Sequence, residues 1–257
     1  MTFADAKQRF SNRVADYVRY RPGYPPEVLA VLRTACGLRP GHVIADIGSG
    51  TGFLSELFLK NGNRVYGIEP NEAMRQAGEE YLASHDGFVS LNGSAEATTL
   101  EDSSIDFVAV GQAFHWFEPD AARREFRRIL KPTGWIVMLW NARQMDTPFA
   151  SAYEELLVKY GTDYTRVREA YPDAPAMRDF FGAGDFTQHS LPNSQILDWD
   201  SLVGRLRSSS FAPPEGHPNY APMMVELQEL FRAHQEDGRV RMDFATHAYF
   251  GRLAKQE

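Results

Sequence analysis

The chain has 257 residues, 43% apolar and 24% charged, the balance of an ordinary globular protein able to bury a sizeable core. Its formal net charge of −7, with Lys and Arg dispersed, argues against a nucleic-acid substrate, and its single cysteine, Cys36, precludes an intrachain disulfide. No run approaches the ~18 apolar residues of a membrane span, and Met1 to Lys7 show no apolar signal core; no membrane partner and a cytoplasmic location are expected.

Phe10, Val14, Tyr17 and Val18 recur at helical spacing and predict a first helix over residues 7–20. Arg21-Pro22-Gly23-Tyr24-Pro25-Pro26 breaks it, because proline restricts both itself and its predecessor. A second helix carries Val28, Leu29, Val31 and Leu32 and ends near Cys36-Gly37, where Cys36 reads as a packing residue. Tyr20, Arg21 and Tyr24 bring two phenols and a guanidinium together ahead of the first strand. They read either as ordinary loop packing or as a lid whose Arg21 meets a ligand carboxylate.

The stretch Val43 to Gly52 reads as a buried strand ending in Asp46-Ile47, a glycine loop at Gly48-Ser49-Gly50-Thr51-Gly52, and the start of a helix. Alternate glycines let the backbone turn and a ligand approach, and the helix start offers free N–H groups. A dinucleotide fingerprint needs its third glycine at position 53, where Phe53 stands. Asp46 would repel a pyrophosphate but suits an ammonium or sulfonium. A helix to about Lys60 stops at Asn61-Gly62, and Val65 to Glu69 is a second strand ending in an acid. Glu69 lies about 20 residues past Gly48, where an acid meets ribose hydroxyls; its other reading is a cap on the next helix. With Glu96 in Gly93-Ser94-Ala95-Glu96, acids recur at strand ends and favour a cationic nucleoside such as S-adenosylmethionine over NAD.

A helix from about Glu72 to Leu82 and a strand at Phe88–Leu91 come next, then a strand from Ser104 to Val110. Its carboxyl end, Gly111-Gln112-Ala113-Phe114-His115-Trp116-Phe117, should line the cleft, since ligands of open parallel sheets bind there. Gln112 is a candidate cofactor contact. His115 is the candidate general base, with a structural role orienting a helix or the cofactor as the other reading. Trp116 and Phe117 either wall off water beside the ligand cation or belong to the core. Pro119 to Leu130 predicts an amphipathic helix, Lys131-Pro132-Thr133-Gly134 a turn, and Trp135 to Trp140 a fifth buried strand. Trp140 and Asn141, at its cleft end beside Arg143, are substrate-side candidates. Residues 148–181 predict helical pieces forming a cap, and residues 186–197 a strand, a turn at Pro192-Asn193 and another strand. Leu202 and Leu206 mark a further cap helix, Met223 to His234 an amphipathic helix, and Val240 to Phe250 a last strand. His217, His234 and His247 lack metal-ligand spacing, so no metal is expected.

The motifs Asp46-Ile47-Gly48-Ser49-Gly50-Thr51-Gly52, Gly67-Ile68-Glu69-Pro70-Asn71 and Gly93-Ser94-Ala95-Glu96 resemble those of class I S-adenosylmethionine-dependent methyltransferases. Gly111 to Phe117 and Tyr20-Arg21-Pro22-Gly23-Tyr24-Pro25 are similar to the small-molecule branch called methyltransferase type 11. The resemblance implies an α/β fold: a doubly wound, Rossmann-like seven-stranded sheet with helices on both faces. It implies one domain over residues 1–257, a cofactor core at about 38–145 and cap elements at about 1–36 and 148–235. It assigns the cofactor to Asp46, Gly48, Ser49, Gly50, Gly52, Glu69, Pro70, Ala95, Glu96 and Gln112. Ser94 stands where the family commonly has an adenine-binding Asp, and offers a hydrogen bond without charge. The expected partner is a small-molecule acceptor, methylated on oxygen or carboxyl, with Tyr20, Arg21, Tyr24, Trp116, Trp140 and Asn141 on the substrate side. A non-catalytic nucleoside-binding module and a Rossmann NAD(P) oxidoreductase are the alternatives. Monomer and homodimer both remain open.

Overall fold

Seven strands form one sheet in the order β3-β2-β1-β4-β5-β7-β6 in the computed structural model, which describes residues 13–169, 174–182 and 186–254. The strands are β1 Val43–Ile47, β2 Arg64–Ile68, β3 Phe88–Leu91, β4 Ile105–Gly111, β5 Leu130–Arg143, β6 Phe186–Leu197 and β7 Val240–Gly251. The first five pair in parallel, and β7 runs antiparallel to both β5 and β6. Chain order reverses between β1 and β4, so a crevice opens above their carboxyl ends, where open α/β sheets bind ligands.

The helices are α1 Val14–Tyr20, α2 Glu27–Cys36, α3 Phe53–Lys60, α4 Glu72–Tyr81, α5 Pro119–Ile129, α6 Pro148–Tyr160, α7 Tyr164–Glu169, α8 Ala174–Phe181, α9 Trp199–Arg207 and α10 Tyr220–His234. Alternation along the strands divides their side chains between two cores. Ile44, Val65, Phe107 and Leu139 face Leu32 of α2 and Leu54 and Phe58 of α3. Ile47, Val108, Val110 and Met138 face Phe126 of α5 and Phe180 of α8. Helices therefore cover both faces, and the sheet is doubly wound as expected. Burial pushes the Cys36 thiol up to about 12, in keeping with a packing role.

A third apolar cluster, above the carboxyl end of the sheet, joins Tyr153, Leu156 and Leu157 of α6 to Leu202 of α9, Leu227 of α10 and Phe244 of β7. The three helices of this cluster all follow β5 in the chain. Of the N-terminal helices, α2 packs on the sheet, while α1 lies beside α9 and α4. Residues 7–12 of the first predicted helix, Phe10 included, fall outside the described residues.

Two expectations are corrected. The strand, turn and strand predicted around Pro192-Asn193 is one continuous twelve-residue strand, with Pro192 opposite Ala245. Proline lacks a ladder donor, but β6 is the sheet edge, where proline is tolerated. The turn predicted at Lys131–Gly134 is part of β5, where the register with β4 shifts between Ile105↔Leu130 and Phe107↔Trp135. That irregularity absorbs the proline and glycine without leaving the sheet.

Candidate active site

The glycine loop follows β1 and crosses under the N-terminus of α3. Gly48, Gly50 and Gly52 take φ of 67°, 55° and 90°, a region side chains rarely adopt. Gly48 and Gly52 are also confined by space: a Cβ would come within 2.7 Å of Ala113 Cβ and 2.6 Å of Leu82 Cδ1, respectively. Backbone N–H groups of Gly48 and Ser49 donate to the Ile68 carbonyl at 2.9 and 3.2 Å, which ties the loop to the end of β2.

Glu69 completes that tie. Its Oε2 accepts from the Gly50 N–H at 2.9 Å and its Oε1 from the Asn71 N–H at 2.8 Å. Asn71 caps α4, accepting at its side-chain oxygen from the Met74 N–H at 3.2 Å. A carboxylate oxygen has more than one acceptor direction, so bracing the loop leaves capacity for a ligand diol. Glu69 lines the cleft and braces its wall together.

Asp46 is fully buried and accepts from Ser55 Oγ at 2.7 Å, while its Oδ1 has no hydrogen-bond partner. Burial pushes its carboxyl up to about 7, against the pull of the Ser55 hydrogen bonds, with Glu69 adding repulsion. A cation above the loop would relieve that deficit, so the residues present fit an adenosyl cofactor bearing an ammonium and a sulfonium.

Two adjoining hollows form the candidate cofactor cleft. One, of about 670 Å³ and partly open to solvent, is lined by Tyr17, Gly48, Gly50, Glu69, Pro70, Asn71, Met74, Ala95, Gly111, Gln112, Ala113, Trp116 and Phe117. The other, of about 420 Å³, lies over the glycine loop and is lined by Arg21, Tyr24, Asp46, Ser49 and Gln112, among others. Of the residues assigned to the cofactor, Gly52 and Glu96 stand apart from both linings: the space at Gly52 is taken by Leu82, and Glu96 Oε1 accepts from the Glu118 N–H at 2.9 Å.

A third hollow, of about 810 Å³ and partly open, adjoins these at Gln112 and Arg21. It is lined by Arg21, Gln112, Asn141, Ala142, Arg143, Met145, Glu154, Tyr164, Arg168, Arg205, Phe211 and Phe244. Gln112 borders all three hollows and holds a left-handed φ of 54°, unusual for a side-chain-bearing residue and typical of functional junctions. Glu154 is buried and pairs with Arg143, with Arg168 at 2.6 Å, and with the Tyr164 hydroxyl. Arg143 also lies over the Tyr153 ring at 4.9 Å.

The substrate-side candidates separate. Arg21 donates to the Ser208 carbonyl at 2.9 Å, stacks over Tyr17 at 4.9 Å and lines two hollows. Tyr24 is half-buried and lines the hollow over the glycine loop, and desolvation raises its phenol well above the ordinary range. Asn141 lines the third hollow and donates to the Gly23 carbonyl at 3.1 Å, while accepting from Thr246 Oγ1 at 2.6 Å. Tyr20 and Trp140 line none of the three; Trp140 is 4% exposed within the sheet core. His115 lies in a short 3₁₀ turn, its ring 4.7 Å from that of Trp116 and 5.8 Å from that of Trp140, and outside the three linings. Burial holds its imidazole down to about 4. Sequence reasoning missed Tyr17, Asn71 and Met74 on the cofactor side, and Glu154, Tyr164, Arg168 and Arg205 in the third hollow. Only long-range folding brings the latter group together.

A glycine loop, strand-end acids and a crevice at the chain reversal of a 3-2-1-4-5-7-6 sheet define a nucleoside-cofactor enzyme fold. A family model described as a methyltransferase domain matches residues 45–138. An uncharacterized methyltransferase of Schizosaccharomyces pombe is 32% identical over 248 residues, 93% of this chain and 95% of that one. One of Mycobacterium tuberculosis is 33% identical over 246 residues, 95% of this chain and 88% of its own. The chain belongs to the class I S-adenosylmethionine-dependent methyltransferases. Among solved structures, a candidate type II methyltransferase from Anaeromyxobacter dehalogenans shares the fold, with a TM-score of 0.64 at 20% identity over 92% of this chain and all of that one. So does Haemonchus contortus phosphoethanolamine N-methyltransferase 2, solved with S-adenosylhomocysteine, with a TM-score of 0.56 at 16% identity over 98% of this chain and 59% of that one.

Proposed function

We propose that this methyltransferase acts on a small carboxylate-bearing acceptor and methylates a carboxylate oxygen. The observation that carries the reading is the third hollow: among the described residues four arginines and one glutamate line it, and Gln112 joins it to the candidate cofactor cleft. An excess of guanidinium groups in a partly enclosed cleft favours an anionic ligand.

When bound, S-adenosylmethionine supplies an electrophilic methyl group on a sulfonium. Around it, Gly48, Ser49 and Gly50 border the ligand, Gly52 makes room for Leu82 at the start of the helix, and Asp46 attracts the methionyl ammonium. Arg21, over the same loop, meets the methionyl carboxylate, and Glu69 with Pro70 borders the ribose. Ala95 flanks the adenine, with Glu96 outside it holding the next helix. Trp116 and Phe117 exclude water beside the transferring carbon. An in-line displacement needs mainly collinear placement, which Gln112 supports at the junction. A carboxylate acceptor is already ionised and gives up no proton. That agrees with the position of His115, set against two tryptophans with its basicity lowered by burial.

The test is the rate of methyl transfer to a panel of small carboxylic acids against their corresponding alcohols and amines. Transfer to acids alone is expected. Transfer only to the alcohols or amines would refute the carboxylate reading.

A further inference from the structure

Gln112 holds its left-handed φ of 54° between two closely packed neighbours. A Cβ on Gly111 would come within 2.5 Å of the Tyr24 hydroxyl, and Ala113 Cβ fills the space that a Cβ on Gly48 would need. The Gln112 N–H donates to the Leu139 carbonyl at 2.9 Å, which ties the end of β4 to β5. This conformation costs a side-chain-bearing residue free energy that glycine is spared, and it persists where packing over-determines it. It sets Gln112 at the border of the cofactor hollows and the third hollow. Among the described residues its side-chain amide makes no hydrogen bond.

We infer that this amide grips the reacting group of the acceptor: its N–H donates to one carboxylate oxygen and so aims the other at the transferring methyl. The inference rests on the carboxylate reading above and names the residue that positions the attacking atom.

The transfer favours a neutral donor at this point. The attacking oxygen forms its bond to the methyl carbon as the carbon–sulfur bond breaks, and the electron pair stays on sulfur. The carboxylate and sulfonium charges both vanish, and no proton moves. The oxygen held by Gln112 becomes the carbonyl oxygen of the ester, which still accepts the same hydrogen bond. An amide therefore serves reactant and product alike. A guanidinium in its place would lose its counter-charge as the ester forms. With one oxygen fixed, the other keeps few directions, and an in-line displacement gains from that restriction.

The test measures methyl transfer by the full-length protein to acetate, butyrate, succinate and benzoate, and follows the acid turned over fastest. Glycine adopts such a φ freely, so Gln112→Gly removes the amide without straining the backbone. It should keep its melting temperature and hold its S-adenosylhomocysteine affinity within about twofold. Its kcat should fall at least about tenfold, the scale of one hydrogen bond to a charged group. Gln112→Asn, whose shorter amide also tolerates this conformation, should recover part of that loss. Gln112→Glu sets a carboxylate against the acceptor's and should raise the KM for the acid at least about tenfold. Wild-type kcat in Gln112→Gly would overturn the inference and leave the carboxylate reading intact. So would a Gln112→Glu variant that binds S-adenosylhomocysteine more tightly with the KM for the acid unchanged, since the amide would then face the methionyl ammonium. If the wild-type protein methylates none of the four acids, both fall together.

Discussion

The ring of Tyr20 rests on the Cα of Gly204: a Cβ there would come within 2.1 Å of the ring's Cδ2 and Cε2. This contact docks the N-terminal strap onto cap helix α9. Arg13 reinforces it by donating to the carbonyls of Arg207, Ser209 and Ala212 (to Ala212 at 2.7 Å), and Arg21 does so at Ser208. Cations on the carbonyl end of a helix also complement its dipole. Tyr17 and Arg21, carried on the strap, thereby cover the cofactor cleft. Gly204→Ala gains up to about 1 kcal/mol in helix propensity but must expel the ring, an overpacking penalty of about 1–3 kcal/mol. A net loss of thermal stability and a raised KM for S-adenosylmethionine are expected, read by melting curves and initial rates. An unchanged KM would dissociate the strap from cofactor binding.

Glu69 should matter to both binding and folding. In Glu69→Gln the amide can offer only one oxygen where the carboxylate offers two, and one backbone N–H, at Gly50 or Asn71, loses its acceptor. Each such charge-assisted bond is worth about 1.5–3 kcal/mol. Calorimetry should show S-adenosylhomocysteine affinity reduced at least about tenfold, with a lower melting temperature. Wild-type affinity in the variant would remove Glu69 from the site.

Asp46 gives the ligand-free enzyme a pH dependence. Its folded-state carboxyl, raised by burial to about 7, holds a proton that the unfolded chain has already released above the ordinary carboxylate range. Its contribution to stability is therefore fully present at low pH and declines as pH rises toward about 7. A bound ammonium would favour the ionised form, so cofactor binding near neutrality should release a proton from this residue. Calorimetry in buffers of different ionisation enthalpy measures that release, which Asp46→Asn should abolish. Equal proton release in the variant would assign it elsewhere.

The candidate cofactor crevice was legible because its signals are local. Asp46, the three glycines and Glu69 sit at the ends of short buried strands, and the spacing of one βαβ unit carries them to the same crevice. The third hollow was not. Glu154, Tyr164, Arg168 and Arg205 lie on separate helices, and no periodicity in the chain says that their side chains converge on Arg143. Pro192 and the Lys131–Gly134 segment misled for a related reason. Their local preference is for turns, and pairing with β7 at the edge and a register shift beside β4 overrode it.

His115 separates two chemistries. If the acceptor is a carboxylate, His115→Ala should keep kcat within about threefold and leave the pH profile without a limb from this residue, because no proton is abstracted. A loss of about a hundredfold or more in kcat, with folding intact, would mark it as a base and point to a hydroxyl acceptor.

The most direct test of the account is the linkage formed. Incubation with methyl-labelled S-adenosylmethionine and a panel of small carboxylic acids should give a product heavier by one methyl replacing hydrogen. Mild alkali should return the free acid and labelled methanol, as expected of a methyl ester. A labelled product that survives alkali, with the methyl on an ether oxygen, nitrogen or carbon, would contradict it.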